Sequence, residues 1–316
     1  MDEIKLFAGT TSSELTKDIS KHIKVDIGNS IVRRFADGEL KIKIEENIRG
    51  RDVFIIQSTN PPAENILELL LFIDAAKRSS AERITAIIPY YGYARQDRKD
   101  EPRVPISSKL IADLLTVSGA NRVLTIDLHS EQIQGFFNIP VDQLYAAPVF
   151  IEYYQSRQLE DYVIVSPDAG RVKHARGFAR RLGKEIPIAI VDKRRTGPNQ
   201  SVVYNIIGDV AGKTALIYDD ILDTGGTMIG AAEAMMENGA KEVYACAVHA
   251  LLSRDAPQRL LKSPIKELVV TNTVPLDSTR ANKKVKVLSV AKLLGEAILR
   301  IHNAESISVL FKEVEE

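Results

Sequence analysis

Cysteine is nearly missing from this chain of 316 residues, with Cys246 standing alone. A lone thiol excludes a disulfide framework and a cysteine-built metal centre, and its place in the apolar run 243–248 reads as a packed strand position. Net charge is missing too, with Lys plus Arg and Asp plus Glu at 42 each. No global field then favours nucleic acid or an anionic membrane, so any anion site has to be local. No apolar run approaches the ~20 residues that span a bilayer, and residues 1–5 lack the basic start and apolar core of a secretion signal. A cytoplasmic chain without nucleic-acid or membrane partners is expected. What remains, 45% hydrophobic and 27% charged, is ordinary globular composition at a length suited to about two domains, each able to bury a core.

The chain shows strand, loop and helix units whose layout occurs twice. An apolar run at 53–58 with a helical pattern at 65–78 corresponds to 162–166 with 172–182. The run 83–89 leading into Arg95-Gln96-Asp97-Arg98-Lys99 corresponds to 188–191 leading into Asp192-Lys193-Arg194-Arg195, and 123–127 corresponds to 215–219. This weak duplication predicts an α/β protein of two similar domains, each with a central, mainly parallel sheet flanked by helices. Sites belong at the carboxyl ends of such strands. With no low-complexity linker, the boundary falls near 145–149, giving domains 1–146 and 147–302, with the tail 303–316 packed back on the first.

Smaller signals fill in the rest. Thr11 and Glu14 have capping-box spacing ahead of a helix to about Ile23, and Ser289 is placed to cap a helix over 290–302. Asp37-Gly38 between alternating runs predicts a hairpin with Leu40, Ile42 and Ile44 on its buried face. The stretch 208–214 looks like a Walker A loop, but has one residue too few between its glycines and leads into a strand, so it reads as a turn.

The most informative stretch is 215–228. A buried-strand run, Ala215-Leu216-Ile217-Tyr218, is followed by Asp219 and Asp220 where a turn is expected, their side chains on opposite faces. Asp223-Thr224-Gly225-Gly226-Thr227 comes next, then a helical pattern stopping at Gly239. The two glycines let backbone amides approach an anion, the helix start leaves amides unpaired, and the threonines add hydroxyl donors. Carboxylates just before such a turn repel a bare phosphate and suit sugar hydroxyls or a divalent cation. An acidic surface turn with an ordinary helix cap is the plainer alternative.

Three further stretches carry candidate chemistry. Asp127 and His129 share a face if the preceding strand continues that far, which would suit a metal-polyphosphate complex or a structural histidine. Asp168, in Ser166-Pro167-Asp168-Ala169-Gly170, follows a strand and precedes a helix, as a metal ligand or a simple cap. Lys193 and Arg195 alternate toward one ligand, and Gly197-Pro198-Asn199 interrupts regular structure so that the segment can close as a lid. Two cations there suit charge on a transferring phosphoryl group, and a solvated basic surface is the alternative.

The run 218–227 resembles the ribose-phosphate signature of type I phosphoribosyltransferase folds. With Phe35-Ala36-Asp37-Gly38-Glu39, 89–99, Thr125-Ile126-Asp127-Leu128-His129, the Lys193 segment and the tail, the whole chain resembles the phosphate-activated ribose-phosphate pyrophosphokinase family. That resemblance implies transfer of the diphosphoryl group of ATP to the 1-hydroxyl of ribose 5-phosphate, releasing AMP. It implies Phe35, Asp37 and Glu39 on adenine of a neighbouring subunit, with Arg95, Gln96, Asp100 and His129 completing the ATP site. His129 and Asp168 would serve magnesium, expected as two ions per site, and Lys193 and Arg195 the transition state. Asp219, Asp220 and Asp223 to Thr227 would hold ribose 5-phosphate.

A homo-oligomer, a hexamer built from dimers, is implied as well. Inorganic phosphate is the expected activator and ADP the expected inhibitor, through Arg49, Gln134, Ser306, Ser308 and Phe311. Arg171 departs from the pattern, standing where the resemblance leads one to expect a second glycine after Gly170. Two other readings stay open: a catalytically silent regulatory subunit of this fold, and a phosphoribosyltransferase that consumes phosphoribosyl diphosphate.

Overall fold

Short apolar runs rich in Ile and Val make the strands, and the computed structural model describes them within residues 3–157, 161–183, 185–195 and 202–312. The chain divides into two units, Met1–Tyr145 with Thr273–Pro275 and Ser289–Glu316, and Ala146–Asn272 with Leu276–Leu288.

The first unit starts with β1 (Ile4–Ala8), α1 (Ser13–Ile23) and a separate antiparallel hairpin of β2 (Ser30–Arg34) and β3 (Leu40–Ile44). Then come β4 (Asp52–Ile56), α2 (Glu64–Arg78), β5 (Arg83–Ile88), α3 (Ser107–Ser118), β6 (Arg122–Ile126) and β7 (Val141–Leu144). Its five-stranded sheet runs β1-β4-β5-β6-β7, all parallel. Every β4 side chain is buried, as a central parallel strand requires. The i, i+3, i+4, i+7 stripe of α2, Leu69, Phe72, Ile73 and Ala76, packs into this core beside Phe7, whose ring lies 5.6 Å from that of Phe72. Of the hairpin face, Ile42 and Ile44 pack against the core and are half-buried, while Leu40 is half-buried near the tip.

The second unit contains α4 (Ala147–Ser156), β8 (Tyr162–Ser166), α5 (Val172–Leu182), β9 (Ile188–Arg195), β10 (Val202–Ile207) and β11 (Thr214–Leu222). It continues with α6 (Gly226–Glu237), β12 (Glu242–Ala250), α7 (Ala256–Lys262), β13 (Ile265–Thr271) and β14 (Val285–Leu288). Its sheet runs β10-β9-β8-β11-β12-β13-β14, with only the β10–β9 pair antiparallel. Ala231, Ala232 and Met235 of α6 cover one face of β11 and β12. Tyr218 stacks on Phe178 of α5 with ring centroids 4.5 Å apart. Cys246 is fully buried as a free thiol.

The chain then returns to the first unit with α8 (Ala291–His302) and α9 (Val309–Lys312). This corrects the expectation that 289–302 belongs to the second domain. The apolar stripe Leu294, Ile298 and Ile301 is buried, and Gly295 brings the α8 backbone close to α1: a Cβ built there would lie 2.8 Å from Ile23 Cγ2. His302 Nδ1 meets Asp52 Oδ2 at 2.8 Å, and His22 Nε2 meets Glu296 Oε1 at 3.0 Å.

The order of strands also corrects the pairing of the two halves. In the first unit β5 lies between β4 and β6, whereas in the second β8 has β9 on one side and β11 on the other. If β8 takes the place of β4, then β11 takes the place of β5, not of β6. Chain order alone hides this, because β9 returns to the far side of β8, where β1 stands in the first unit.

Local expectations shift too. Thr11 caps no helix: its hydroxyl donates to Gln57 Oε1 at 2.7 Å, and α1 starts after Ser12 with no side-chain cap. The cap of α8 falls at Val290, although Ser289 Oγ accepts from Ala291 N at 3.3 Å. The Walker-like stretch is a turn, with Gly212 at φ +71 donating to Gly239 O at 2.8 Å and Lys213 tied to Asp209. Among the described residues no helix is long and apolar enough to cross a membrane.

Candidate active site

In the second unit β11 does not stop at its two acids. It runs on to Leu222 because β12 extends to Ala250 and pairs with it, Ile221 with His249 and Leu222 with Ala250. Asp219 and Asp220 are therefore strand residues, and the turn comes three residues later than expected. Asp220 N donates to Asp219 Oδ1 at 2.9 Å, and Arg171 Nη2 donates to Asp220 Oδ2 at 2.5 Å. Both side chains of that ion pair are about nine-tenths buried, at 11% and 12% exposure. Burial, and next the charge of Asp220, push the Asp219 carboxyl well above the ordinary carboxylate range, while Arg171 pulls it down.

Arg171 is also the link to Asp168. Its backbone N–H donates to Asp168 Oδ1 at 3.0 Å, so Asp168 caps the turn that leads into α5. The backbone at Arg171 has φ −98 and ψ 1, ordinary for any residue, so no glycine is required there. Sequence reasoning noticed Arg171 only as a departure. Its partner lies 49 residues away, beyond any local pattern.

Past Leu222 the chain turns through Asp223 and Thr224 to Gly225, whose φ of +75 is left-handed and which precedes α6 with no side chain capping the helix. The first amides of α6 are thus presented at the end of the strand that carries the acid pair. The neighbouring loop supports this turn: Leu251 N donates to Leu222 O at 2.8 Å and Ser253 N to Asp223 O at 3.0 Å. Arg259 of α7 reaches the same turn, its Nη1 donating to Thr224 O at 3.2 Å. No sequence signal had marked Arg259.

Asp219, Asp220, Asp223 to Thr227 and, through Arg171, Asp168 are thus gathered at one end of one sheet. The basic residues Lys193 and Arg195 are not on a loop: β9 carries them, paired with Tyr204 and Val202 of β10. Their side chains and residues 196–201, the expected lid, lie outside the described residues.

The other candidates belong to the first unit. Phe35, Asp37 and Glu39 are exposed at the hairpin tip, where Asp37 Oδ1 accepts from Glu39 N at 3.1 Å and Lys41 Nζ lies 5.4 Å from the Phe35 ring centroid. Arg95, Gln96 and Asp100 are exposed after β5, the strand in the place of β11. Ser107 Oγ donates to Gln96 Oε1 at 2.6 Å, tying that loop to the start of α3. His129 follows β6, but the strand ends at Ile126 and Asp127 has φ +41. The alternation expected to put Asp127 and His129 on one face is therefore broken.

Gln134, Ser306 and Ser308 line one cavity of about 540 Å³ together with Arg83, Arg122 and Asp142. Gln134 Nε2 donates to Gln143 Oε1 at 3.1 Å, and Ser306 and Ser308 join their hydroxyls at 2.7 Å. Arg49 is exposed and not part of that lining, and the Phe311 side chain lies outside the described residues.

Parallel α/β sheets in both units, with an acid pair and a glycine turn at a strand's carboxyl end, define a protein of the phosphoribosyltransferase type of fold. Comparison with known proteins narrows the class. Residues 4–119 match the family model described as the N-terminal domain of ribose phosphate pyrophosphokinase, and residues 195–312 that of the phosphoribosyl synthetase-associated domain. Ribose-phosphate pyrophosphokinase of Corynebacterium ammoniagenes is 56% identical over 309 residues, 98% of this chain and 97% of that protein. The Bacillus subtilis (strain 168) protein of the same name is 53% identical over 309 residues, with the same coverage of 98% and 97%. A crystal structure of phosphoribosylpyrophosphate synthetase from Mycobacterium smegmatis superposes with a TM-score of 0.91 at 41% identity, covering 96% of this chain and 100% of that one. The chain belongs to the ribose-phosphate pyrophosphokinase family.

Proposed function

We propose that this chain is an ATP-dependent ribose-phosphate diphosphokinase, forming 5-phosphoribosyl 1-diphosphate and AMP. The observation that carries the reading is the buried Arg171–Asp220 pair beside Asp219, directly ahead of a glycine turn at a helix start, in a member of this family. Carboxylates accept from sugar hydroxyls and the turn's amides donate to a phosphate monoester, so ribose 5-phosphate is bound at both ends. The 1-hydroxyl attacks the β-phosphorus of ATP. A new oxygen–phosphorus bond forms, the bond to the bridging oxygen breaks, its electron pair leaves with AMP, and the hydroxyl proton is released. Lys193 and Arg195 supply cations to the diphosphoryl group in flight. Phe35, Asp37 and Glu39 hold adenine of a neighbouring copy, with Arg95, Gln96, Asp100 and His129 on the rest of the nucleotide.

Magnesium, when bound, neutralises triphosphate charge, with two ions per site. The Asp168 carboxylate is a hard oxygen donor that fits it, and although Oδ1 also accepts from Arg171 N, a carboxylate has several lone pairs. Among the described residues no cluster of three or more His, Cys, Asp or Glu could hold a metal ion by itself. His129 is a softer donor, better suited to a hydrogen bond with a phosphate oxygen or with metal-bound water. The cavity lined by Gln134, Ser306 and Ser308 is our candidate for phosphate activation and ADP inhibition, with Arg49 and Phe311 as further candidates, and the proposed assembly is a hexamer built from dimers.

Incubation of the purified chain with ribose 5-phosphate, magnesium and ATP, with and without added phosphate, tests the activity. AMP should appear in step with phosphoribosyl diphosphate. ADP as the only nucleotide product, or diphosphate release that depends on a free base, would overturn it.

A further inference from the structure

The glycine turn has an electrostatic problem that its amides alone do not solve. A phosphate monoester is close to a dianion at neutral pH, with a second pKa of about 6. Asp219, Asp220 and Asp223 all precede the turn closely in the chain. Arg171 lies on the strand side, engaged with Asp220. On the other side of the turn stands Arg259. Its Nη1 donates to Thr224 O at 3.2 Å, and its Nη2 lies 4.0 Å from where a Cβ on Gly226 would be. The guanidinium is therefore beside the start of α6.

That position is built rather than accidental. Ala256 and Leu260, on the same helix, are buried at 1% and 2% exposure, and the Ala256 methyl lies 3.9 Å from a Cβ built on Gly225. The packing of α7 against the turn thus fixes the root of Arg259. The contact to Thr224 O uses one N–H of a guanidinium that carries five, in a planar fork matched to phosphate oxygens.

We propose that Arg259 is a further binding residue for the 5-phosphate of the sugar substrate, supplying the cation the turn needs and favouring phosphorylated pentose. This rests on the ribose 5-phosphate reading above. The bland alternative is a latch that merely holds the Thr224 carbonyl, and the two differ in what they do to charge.

The test uses the full-length protein and its R259M and R259K variants, with calorimetric binding of ribose 5-phosphate at about pH 5 and about pH 7.5, and of Mg-ATP. A charge-assisted contact predicts that R259M weakens ribose 5-phosphate binding roughly ten- to hundredfold at the higher pH. The loss should shrink at the lower pH, where the monoester carries less charge. R259K should recover part of the affinity, and Mg-ATP binding should stay within about twofold.

Ribose 5-phosphate affinity within about twofold of the unmodified protein would overturn the proposal. So would equal losses at both pH values, because a latch acts regardless of substrate charge. Should the unmodified protein make AMP while R259M behaves in either of these ways, only Arg259 loses its role. If the unmodified protein neither binds ribose 5-phosphate nor makes AMP, both readings fall.

Discussion

Asp219 and Asp220 are adjacent on one strand, and the folded structure weighs against the charge on Asp219. Burial first, and the Asp220 charge second, disfavour its ionised form, so the folded protein keeps that proton to higher pH than the unfolded chain, whose aspartate titrates near 3.8. Above 3.8 the unfolded state loses a proton that the folded state retains, and stability falls with rising pH until the folded group has also ionised. Asp219→Asn removes a penalty that is full above the raised value and absent below about pH 3.8. The urea midpoint of the ligand-free variant should exceed that of the unmodified protein at pH 7.5, and the advantage should vanish by about pH 4. An advantage equal at both pH values, or none at either, would contradict the assignment. The acid pair and the turn were legible because strand length, glycine and threonine spacing are local signals. Arg171 and Arg259 were not, since each acts on a residue brought near only by the sheet and the packing of α7.

Loops at strand ends are specified by backbone contact as much as by their charged residues. The loop after β5 crosses the end of β4 so closely that a Cβ on Gly92 would lie 2.1 Å from Thr59 O, while Gly92 N donates to Thr59 Oγ1 at 2.7 Å. A backbone carbonyl cannot swing aside, so Gly92→Ala should cost about 3 kcal/mol by overpacking, read as a lower urea midpoint. In the folded fraction Mg-ATP binding should weaken about tenfold or more as Arg95 and Gln96 shift, and ribose 5-phosphate binding should hold within about threefold. Equal loss of both ligands would mean that the loop is general scaffold. Periodicity made this element and its fellows legible, as with the stripe of α2 and the buried run of β4. Lateral order was not: β9 crosses to the far side of β8, and its basic residues extend a strand paired with β10 where an isolated loop was expected. Pairing partners decide both points, and they come from distant sequence. The return of α8 to the first unit escaped for the same reason, since α1, which Gly295 lets it approach, lies far back in the sequence.

The proposed sharing of the ATP site through the hairpin requires assembly of copies. Phe35 is 48% exposed, large and apolar, at the tip of a two-stranded sheet outside the main sheet of its unit. An aromatic ring left half exposed, with Lys41 Nζ 5.4 Å from its centroid, suits the proposed stacking against the adenine of a neighbouring copy. If each ATP site takes its hairpin from one copy and its Lys193 from another, two defective chains can repair one another. Chains carrying F35A and chains carrying K193A, each nearly inactive alone, should regain up to roughly a quarter of full activity when co-assembled at equal ratio, because random pairing across a symmetric interface makes that share of sites intact. Gel filtration of each variant checks that assembly itself is unaffected. Activity of the mixture no greater than the mean of the two variants would place hairpin and lysine in the same copy's site, and the exposed ring would then need a different reason to be there.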